Sequence, residues 1–284
     1  MDQTAVTVVG AGLMGRGIAY VSAAIAGFET TLVDLDTDVL DAAVERIHLD
    51  VAAGVERGKL DAEVTDQIAE RLHTTTDLAE GCRGADLVIE AVVERMDVKH
   101  EVLRAAEAVV ARDALVATNT SSMSVTEIMA SLDRPERGVG MHFFNPVPKM
   151  ALCELIRALQ TAPATLDRAE AYATAMGKQT VRVEDLPGFA TSRINALIGN
   201  EAMRMLEEGV ASAEDIDTAC KLGFGHAMGP LATTDLTGVD ILAHASSNIY
   251  GETGDSKFFP PELLSRMVDA GDLGRKTGRG FYTY

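Results

Sequence analysis

Short apolar runs at 5–9, 30–34, 87–91, 115–118, 139–143, 152–156 and 179–183 alternate with longer stretches whose apolar residues recur at helical spacing. Strand-like runs separated by helical patterns predict βαβ units and a mostly parallel sheet. The stretch 37–71 has few β signals and is interrupted at Gly54 and Gly58, so a helical hairpin is expected there, inserted between strands. After "EDLPG" at 184–188 the strand signals fade and the pattern is helical nearly to the end. Ile194, Leu197, Ile198, Met205 and Leu206 fall roughly on one side of a long predicted helix, as expected for core or a subunit interface. A second helix is expected from Ser212, where Ser-Ala-Glu-Asp supplies an N-cap and early acidic residues. The change of pattern near 186 divides the chain into an α/β domain, 1–186, and an all-α domain, 187–284.

A length of 284 residues also favours two domains over one. Apolar residues at 47% and charged residues at 24% suit filled cores and argue against disorder. The formal charge of −18, without a Lys/Arg-rich run, repels phosphate backbones and anionic bilayers, so neither nucleic acid nor membrane is an expected partner. Cys82, Cys153 and Cys220 lie far apart without C-x-x-C spacing, and no metal site, redox pair or disulfide is expected. Asp2-Gln3-Thr4 leads into the first strand without a cationic start and cleavage site, and no apolar run is long enough to span a bilayer. A cytoplasmic, reducing location is the expectation.

The first chemical signal is Gly10-Ala11-Gly12-Leu13-Met14-Gly15, a G-x-G-x-x-G between an apolar strand and a helix. Gly10 permits the tight turn, Gly12 admits a pyrophosphate close to the backbone, and Gly15 lets helix and strand pack closely. The following helix start offers unsatisfied N–H groups and a positive dipole end. Asp34, 19 residues beyond Gly15, ends the second apolar run, where a carboxylate accepts from both ribose hydroxyls and repels a 2′-phosphate. Leu35 and Asp36 follow, with no Arg to receive that phosphate, so NAD is expected rather than NADP.

The second signal is "GMHFFNPVPKMALCELI", 140–156, with His142 closing one apolar run and Glu154 inside the next. An unpaired carboxylate in such a run costs several kcal/mol, so Glu154 needs a partner. Paired with one ring nitrogen of His142, it would fix the tautomer and stabilise the imidazolium formed when the other nitrogen takes a proton. His142 as base and Glu154 as its orienter would then serve oxidation of an alcohol by hydride loss. "VATNTSSMSVTEI" supplies polar groups after the 115–118 run. Ser124-Val125-Thr126-Glu127 fits a capping box and spends Ser124 on a helix, leaving Asn119, Ser121 and Ser122 toward the cleft.

On "GAGLMGRGIA", "DLVIEAVVERMDVK", "ATNTSS", "GMHFFNPVP", "PGFATSRINALIGNEA", "EDIDTACKLG", "MGPL" and "LGRKTGRGFY", the chain resembles the short-chain L-3-hydroxyacyl-CoA dehydrogenase family along nearly its whole length. The resemblance implies a Rossmann-type, mostly parallel sheet with an inserted helical hairpin, followed by an all-α C-terminal domain that closes the site and forms a homodimer. It implies NAD as cofactor, a short-chain 3-hydroxyacyl-CoA such as 3-hydroxybutyryl-CoA as substrate, and a place in fatty acid metabolism. By the same resemblance His142 and Glu154 are the catalytic pair and Ser121 contacts substrate. Asn119 lies on the nicotinamide side, also within reach of substrate. Gly10, Gly12, Leu13, Met14, Gly15, Asp34, Glu94 and Lys99 line the cofactor cleft. Arg57 and Lys59 in the hairpin are the candidates for the coenzyme A phosphates. One position departs: where the family commonly has Asn after "PGF", Ser192 stands here. The alternatives are a dehydrogenase of a carrier-protein thioester or free hydroxy acid, and a dinucleotide-binding structural or sensor protein without turnover. Ser121, His142 and Glu154 together favour the enzyme, because cofactor binding alone does not require them.

Overall fold

The computed structural model describes residues 4–284, so the reading of Asp2 and Gln3 lies outside the described residues. The chain forms two compact units, the first ending at Asp185 and the second beginning at Leu186.

In the first unit the order is β1 (Ala5–Val9), α1 (Leu13–Tyr20), β2 (Glu29–Val33), α2 (Thr37–Glu56), α3 (Val64–Arg71), β3 (Leu72–Thr75), α4 (Leu78–Cys82), β4 (Leu87–Glu90) and α5 (Met96–Glu107). Then follow β5 (Leu115–Thr118), α6 (Val125–Met129), β6 (Gly138–Phe143), β7 (Leu152–Arg157), α7 (Pro163–Ala175) and β8 (Gln179–Glu184). All eight strands form one sheet in the order β3-β2-β1-β4-β5-β6-β7-β8. Every neighbouring pair is parallel except β6 and β7, which are antiparallel. β1, β4, β5 and β6 are buried on both faces, which is why they read as continuous apolar runs rather than alternating ones. One face packs against Ile18, Leu40, Ile47, Ile68 and Leu166 on the helices, and the other against Cys82 and Ala106.

The hairpin is α2 and α3, and α2 runs on through Gly54. A Cβ at Gly54 would stand 2.8 Å from Leu60, so this glycine admits the returning chain instead of ending the helix. The reversal uses Gly58, at φ +65°. β3 is absent from the sequence expectation: its Leu-His-Thr-Thr holds one apolar residue and pairs only at the sheet edge with β2. Asp34 and Ala91, expected inside strands, stand just beyond β2 and β4, at the carboxyl end of the sheet.

The second unit is helical: α8 (Thr191–Glu207), α9 (Ala213–Phe224), α10 (Pro230–Thr237), α11 (Val239–Thr253) and α12 (Glu262–Ala270). Ser212 caps α9 by accepting from the N–H of Asp215, as its sequence predicts. The buried ridge of α8 differs from expectation. It is Ala196, Gly199, Asn200 and Met203, while Ile194 is exposed and Leu197, Met205 and Leu206 are half-buried. A Cβ at Gly199 would lie 2.8 Å from Leu242, so small residues let α11 approach closely. Large side chains at those positions would hold the helices apart.

Candidate active site

The glycine loop joins β1 to α1 with the geometry a phosphate cradle needs. Gly10 has φ +103°, and its N–H donates to the Val33 carbonyl at 2.7 Å. A Cβ on Gly10 would come within 2.6 Å of the Ala91 carbonyl oxygen, and one on Gly15 within 1.7 Å of the Gly10 carbonyl. Both are closed to any side chain. Gly12 is the opposite: a Cβ there meets nothing within 4 Å. It stands as N-cap of α1 with no side-chain cap, so the first N–H groups of that helix face an open approach. Leu13 is exposed on this first turn, and Met14 packs against the core beneath it.

Asp34 ties the loop to the end of β2. Its Oδ2 accepts from the Ala11 N–H at 2.7 Å and its Oδ1 from the Asp36 N–H at 3.3 Å. Each oxygen retains lone-pair capacity for hydroxyl donors. The open Gly12, the uncapped helix start and Asp34, followed by Leu35 and Asp36, fit a dinucleotide with an unphosphorylated ribose.

His142 and Glu154 are partners across the antiparallel β6–β7 ladder, where the register places them opposite each other. Glu154 Oε2 lies 2.8 Å from His142 Nδ1. A carboxylate only accepts, so Nδ1 carries the hydrogen and Nε2 is the ring nitrogen turned away from Glu154. Glu154 is fully buried and His142 is 6% exposed, and the Phe144 ring packs 4.4 Å from the imidazole. The pair is coupled in a setting where little water screens it.

Next to this ladder, Asn119 follows β5 and its Oδ1 accepts from the Phe143 N–H at 2.9 Å. That bond holds the Asn119 side chain beside the end of β6 and assigns its NH2 as the donor end. Ser121 is exposed in the same turn, its N–H 3.3 Å from Glu94 Oε1. Ser122 is half-buried, its N–H 3.4 Å from the Thr120 hydroxyl. Ser124 caps α6 by accepting from the Glu127 N–H at 3.2 Å. The far side of that cap is not the box expected from Glu127: Asp185 accepts from Ser124 Oγ at 2.9 Å and from the N–H groups of Val125 and Thr126 at 3.1 and 2.6 Å.

Glu94 and Lys99 belong to a buried charge cluster. Lys99 is 1% exposed, and its ammonium lies 2.8 Å from Glu90 Oε1 and 3.0 Å from Glu94 Oε2. Lys99 therefore reaches the cleft through Glu94 rather than directly. Glu90, fully buried at the end of β4, also accepts from the Val92 N–H at 2.8 Å and from Thr118 Oγ1 at 2.7 Å. Sequence reasoning missed Glu90, although a carboxylate within "LVIEAVV" carries the signal that marked Glu154. It missed Lys178 as well, whose buried ammonium donates to the carbonyls of Val147 and Met150 in the β6–β7 connection. Burial holds the Lys178 amine below its usual range.

The remaining candidates belong to other elements. Arg57 and Lys59 are exposed in the α2–α3 turn, and Ser192 is half-buried in the first turn of α8 in the second unit. Among the described residues no group of three or more His, Cys, Asp and Glu side chains is placed to hold a metal ion. No helix among them is long and apolar enough to cross a membrane.

Comparison with known proteins accounts for both units. Residues 5–186 match the family described as 3-hydroxyacyl-CoA dehydrogenase, NAD binding domain, and residues 188–284 match its C-terminal domain. A probable 3-hydroxybutyryl-CoA dehydrogenase of Bacillus subtilis is 41% identical over 284 residues, covering 100% of this chain and 98% of the relative. A 3-hydroxybutyryl-CoA dehydrogenase of Mycobacterium tuberculosis is 43% identical over 281 residues, covering 98% of each. The crystal structure of an (S)-3-hydroxybutyryl-CoA dehydrogenase from Ralstonia eutropha superposes with a TM-score of 0.95 at 39% identity, covering 100% of this chain and 99% of the other.

Proposed function

The chain belongs to the 3-hydroxyacyl-CoA dehydrogenase family, and on that premise we propose that it oxidises a short (S)-3-hydroxyacyl-CoA, 3-hydroxybutyryl-CoA foremost, with His142 as base. NAD-dependent oxidation of a 3-hydroxyacyl-CoA is the activity of the family. The observation that carries the finer reading is the 2.8 Å contact of Glu154 with His142 Nδ1. In this reading Nε2 is the nitrogen that takes the proton, and Glu154 stabilises the charge that proton uptake creates.

Bound NAD supplies the hydride acceptor. The rest belongs to the chain's own residues. Gly10 and Gly15 hold the loop in shape, Gly12 with the start of α1 takes the pyrophosphate, and Asp34 takes the adenosine ribose hydroxyls. Leu13 and Met14 form the first helical turn under the phosphates. The substrate 3-hydroxyl gives its proton to His142 Nε2 as its carbon is oxidised, and Glu154 keeps the resulting imidazolium in place. Ser121 donates to the reacting oxygen, and the Asn119 NH2 orients the groups beside it. Ser192, shorter than the Asn common in the family, offers a hydroxyl in place of that amide. Arg57 and Lys59 meet coenzyme A phosphates, and the helical unit forms the homodimer of a cytoplasmic enzyme.

The test is NADH consumption with ketoacyl-CoAs from C4 to C10, free acetoacetate and a carrier-protein thioester, each repeated with NADPH. The proposal requires the largest kcat/KM for acetoacetyl-CoA with NADH. A higher value for the carrier-protein thioester would replace coenzyme A as the carrier, and NAD binding without turnover of any substrate would remove the enzyme reading.

A further inference from the structure

Glu90, Lys99 and Glu94 form one ammonium shared by two carboxylates at the carboxyl ends of β4 and β5. The two carboxylates differ in exposure. Glu90 is sealed in the core with three donors, Val92 N–H, Thr118 Oγ1 and Lys99 Nζ. The Glu94 side chain is 35% exposed, and it alone faces outward from the cluster. Its Oε1 accepts from the hydroxyl of Thr120 and the N–H of Ser121, which places it in the turn that also carries Asn119. Arg95 and Asp97, close by in the chain, pair with each other at the surface and cancel.

The location gives this arrangement a consequence. Strand order β1-β4-β5-β6 means that a ligand reaching from the Gly12 cradle to His142 passes over the ends of β4 and β5. Glu90 supports that path at two points, since Ala91 beside it abuts Gly10 and its own carbonyl accepts from the Asn119 N–H at 2.8 Å. A lone Lys99–Glu94 pair would present a neutral wall along the path. With Glu90 occupying Lys99 from behind, the three groups sum to one negative charge, and Glu94 presents it.

We propose that Glu90 is a positioning residue that sets the cofactor redox preference of the site: by sharing Lys99 it leaves a net negative wall at Glu94, which favours the cationic oxidised nicotinamide over the neutral reduced ring. The proposal rests on the dinucleotide reading above and goes beyond it, because it assigns a role to a buried side chain that cannot touch the cofactor. A unit charge several ångströms from the ring in a partly screened cleft changes the ratio of the two affinities by about fivefold.

The experiment is a charge ladder read by equilibrium binding, with NADH followed by its fluorescence and NAD by competition. Glu90→Gln takes the wall from −1 to 0 while conserving shape, because the Thr118 hydroxyl can turn from donor to acceptor toward the new amide. It should weaken NAD relative to NADH about fivefold. Glu94→Gln reaches the same charge from the exposed end, without disturbing the buried pair, and should shift the ratio in the same direction by a similar factor. Glu90→Gln combined with Lys99→Met restores −1 and should return the ratio to the wild-type value. A structural role for Glu90 predicts otherwise: both nucleotides weaken together, and the double variant is no better than the single one. An unchanged ratio in Glu94→Gln, which tests the wall even if the core variants fail to fold, also overturns the proposal. Wild-type protein that binds neither nucleotide would instead remove the dinucleotide reading, which keeps the two failures distinct.

Discussion

Both units bury carboxylates, and the partners differ in kind. In the first, Glu154 meets an imidazole and Glu90 an ammonium, groups that carry or exchange charge. In the second, Asp217 accepts from the N–H groups of Leu231 and Ala232 at 2.8 and 2.9 Å and from the Tyr282 hydroxyl at 2.8 Å. Asp235 accepts from the N–H groups of Phe281 and Tyr282 at 3.0 and 2.9 Å and from the Tyr284 hydroxyl at 3.1 Å. Backbone N–H groups do not titrate at working pH, nor do these two phenols, both held above the usual tyrosine range by burial first. Asp217 thus caps α10, and Asp235 fastens the C-terminal segment, with no proton to move. A Cβ at Gly280 would fall 2.0 Å from Asp235 Oδ1, so the carboxylate fills the space that the glycine leaves. Burial alone does not mark a catalytic acid; a titratable partner beside a cleft does.

Substitutions on the two sides should therefore separate turnover from stability. His142→Gln should lower kcat by roughly 100- to 10 000-fold, the range for a general base, with the circular dichroism of the folded protein retained. Near wild-type NADH consumption with acetoacetyl-CoA would collapse the contrast from its catalytic side. Asp235→Ala orphans two N–H groups and a hydroxyl, and the denaturant midpoint should report a loss of about 3 kcal/mol. NADH affinity, which belongs to the first unit, should stay within about twofold. Glu154→Gln keeps the shape of the pair and removes its charge, and kcat should fall on the order of 10- to 100-fold, less than for loss of the base itself. An equal loss of stability without a change in kcat would make Glu154 the same kind of residue as Asp235.

The smallest effect distinguishes the two kinds of carboxylate by pH. Burial first, then its bond to Asp217, push the Tyr282 phenol well above the usual tyrosine range. A group whose folded pKa is raised contributes stability that is complete below its unfolded value, about pH 10, and is lost as pH rises through the folded value. Tyr282→Phe should cost about 1 kcal/mol at pH 8. It should also make the fall in Tm between pH 9 and pH 11 shallower than in the wild type.

The two sides differed in how far they could be read before the fold was known. The glycine loop is legible because its spacing is a local demand: Gly10 needs positive φ and Gly15 must touch the Gly10 carbonyl, both within six residues. Glu154 is legible because a carboxylate in an apolar strand needs a partner. Glu90 meets the same criterion and was missed, although it lies inside the expected strand at 87–91. Asp217 and Asp235 sit in helices, where an acidic residue reads as solvated, and the docking of the C-terminal segment encloses Asp235. β3 was missed for a related reason: an edge strand buries little and needs no apolar alternation.

The sequence by itself determined the α/β and all-α halves, the nucleotide loop, the acid after β2 and the residues that had to find partners, because periodicity, turn geometry and the cost of an unpaired charge act over a few residues. Only the tertiary structure decided who those partners are. The antiparallel register puts Glu154 opposite His142, the packing of the first turn of α5 brings Lys99 between Glu90 and Glu94, and the fold-back of the last residues gives Asp217 and Asp235 their hydroxyls. Those pairings join residues 5 to 65 positions apart, across contacts that no local pattern encodes.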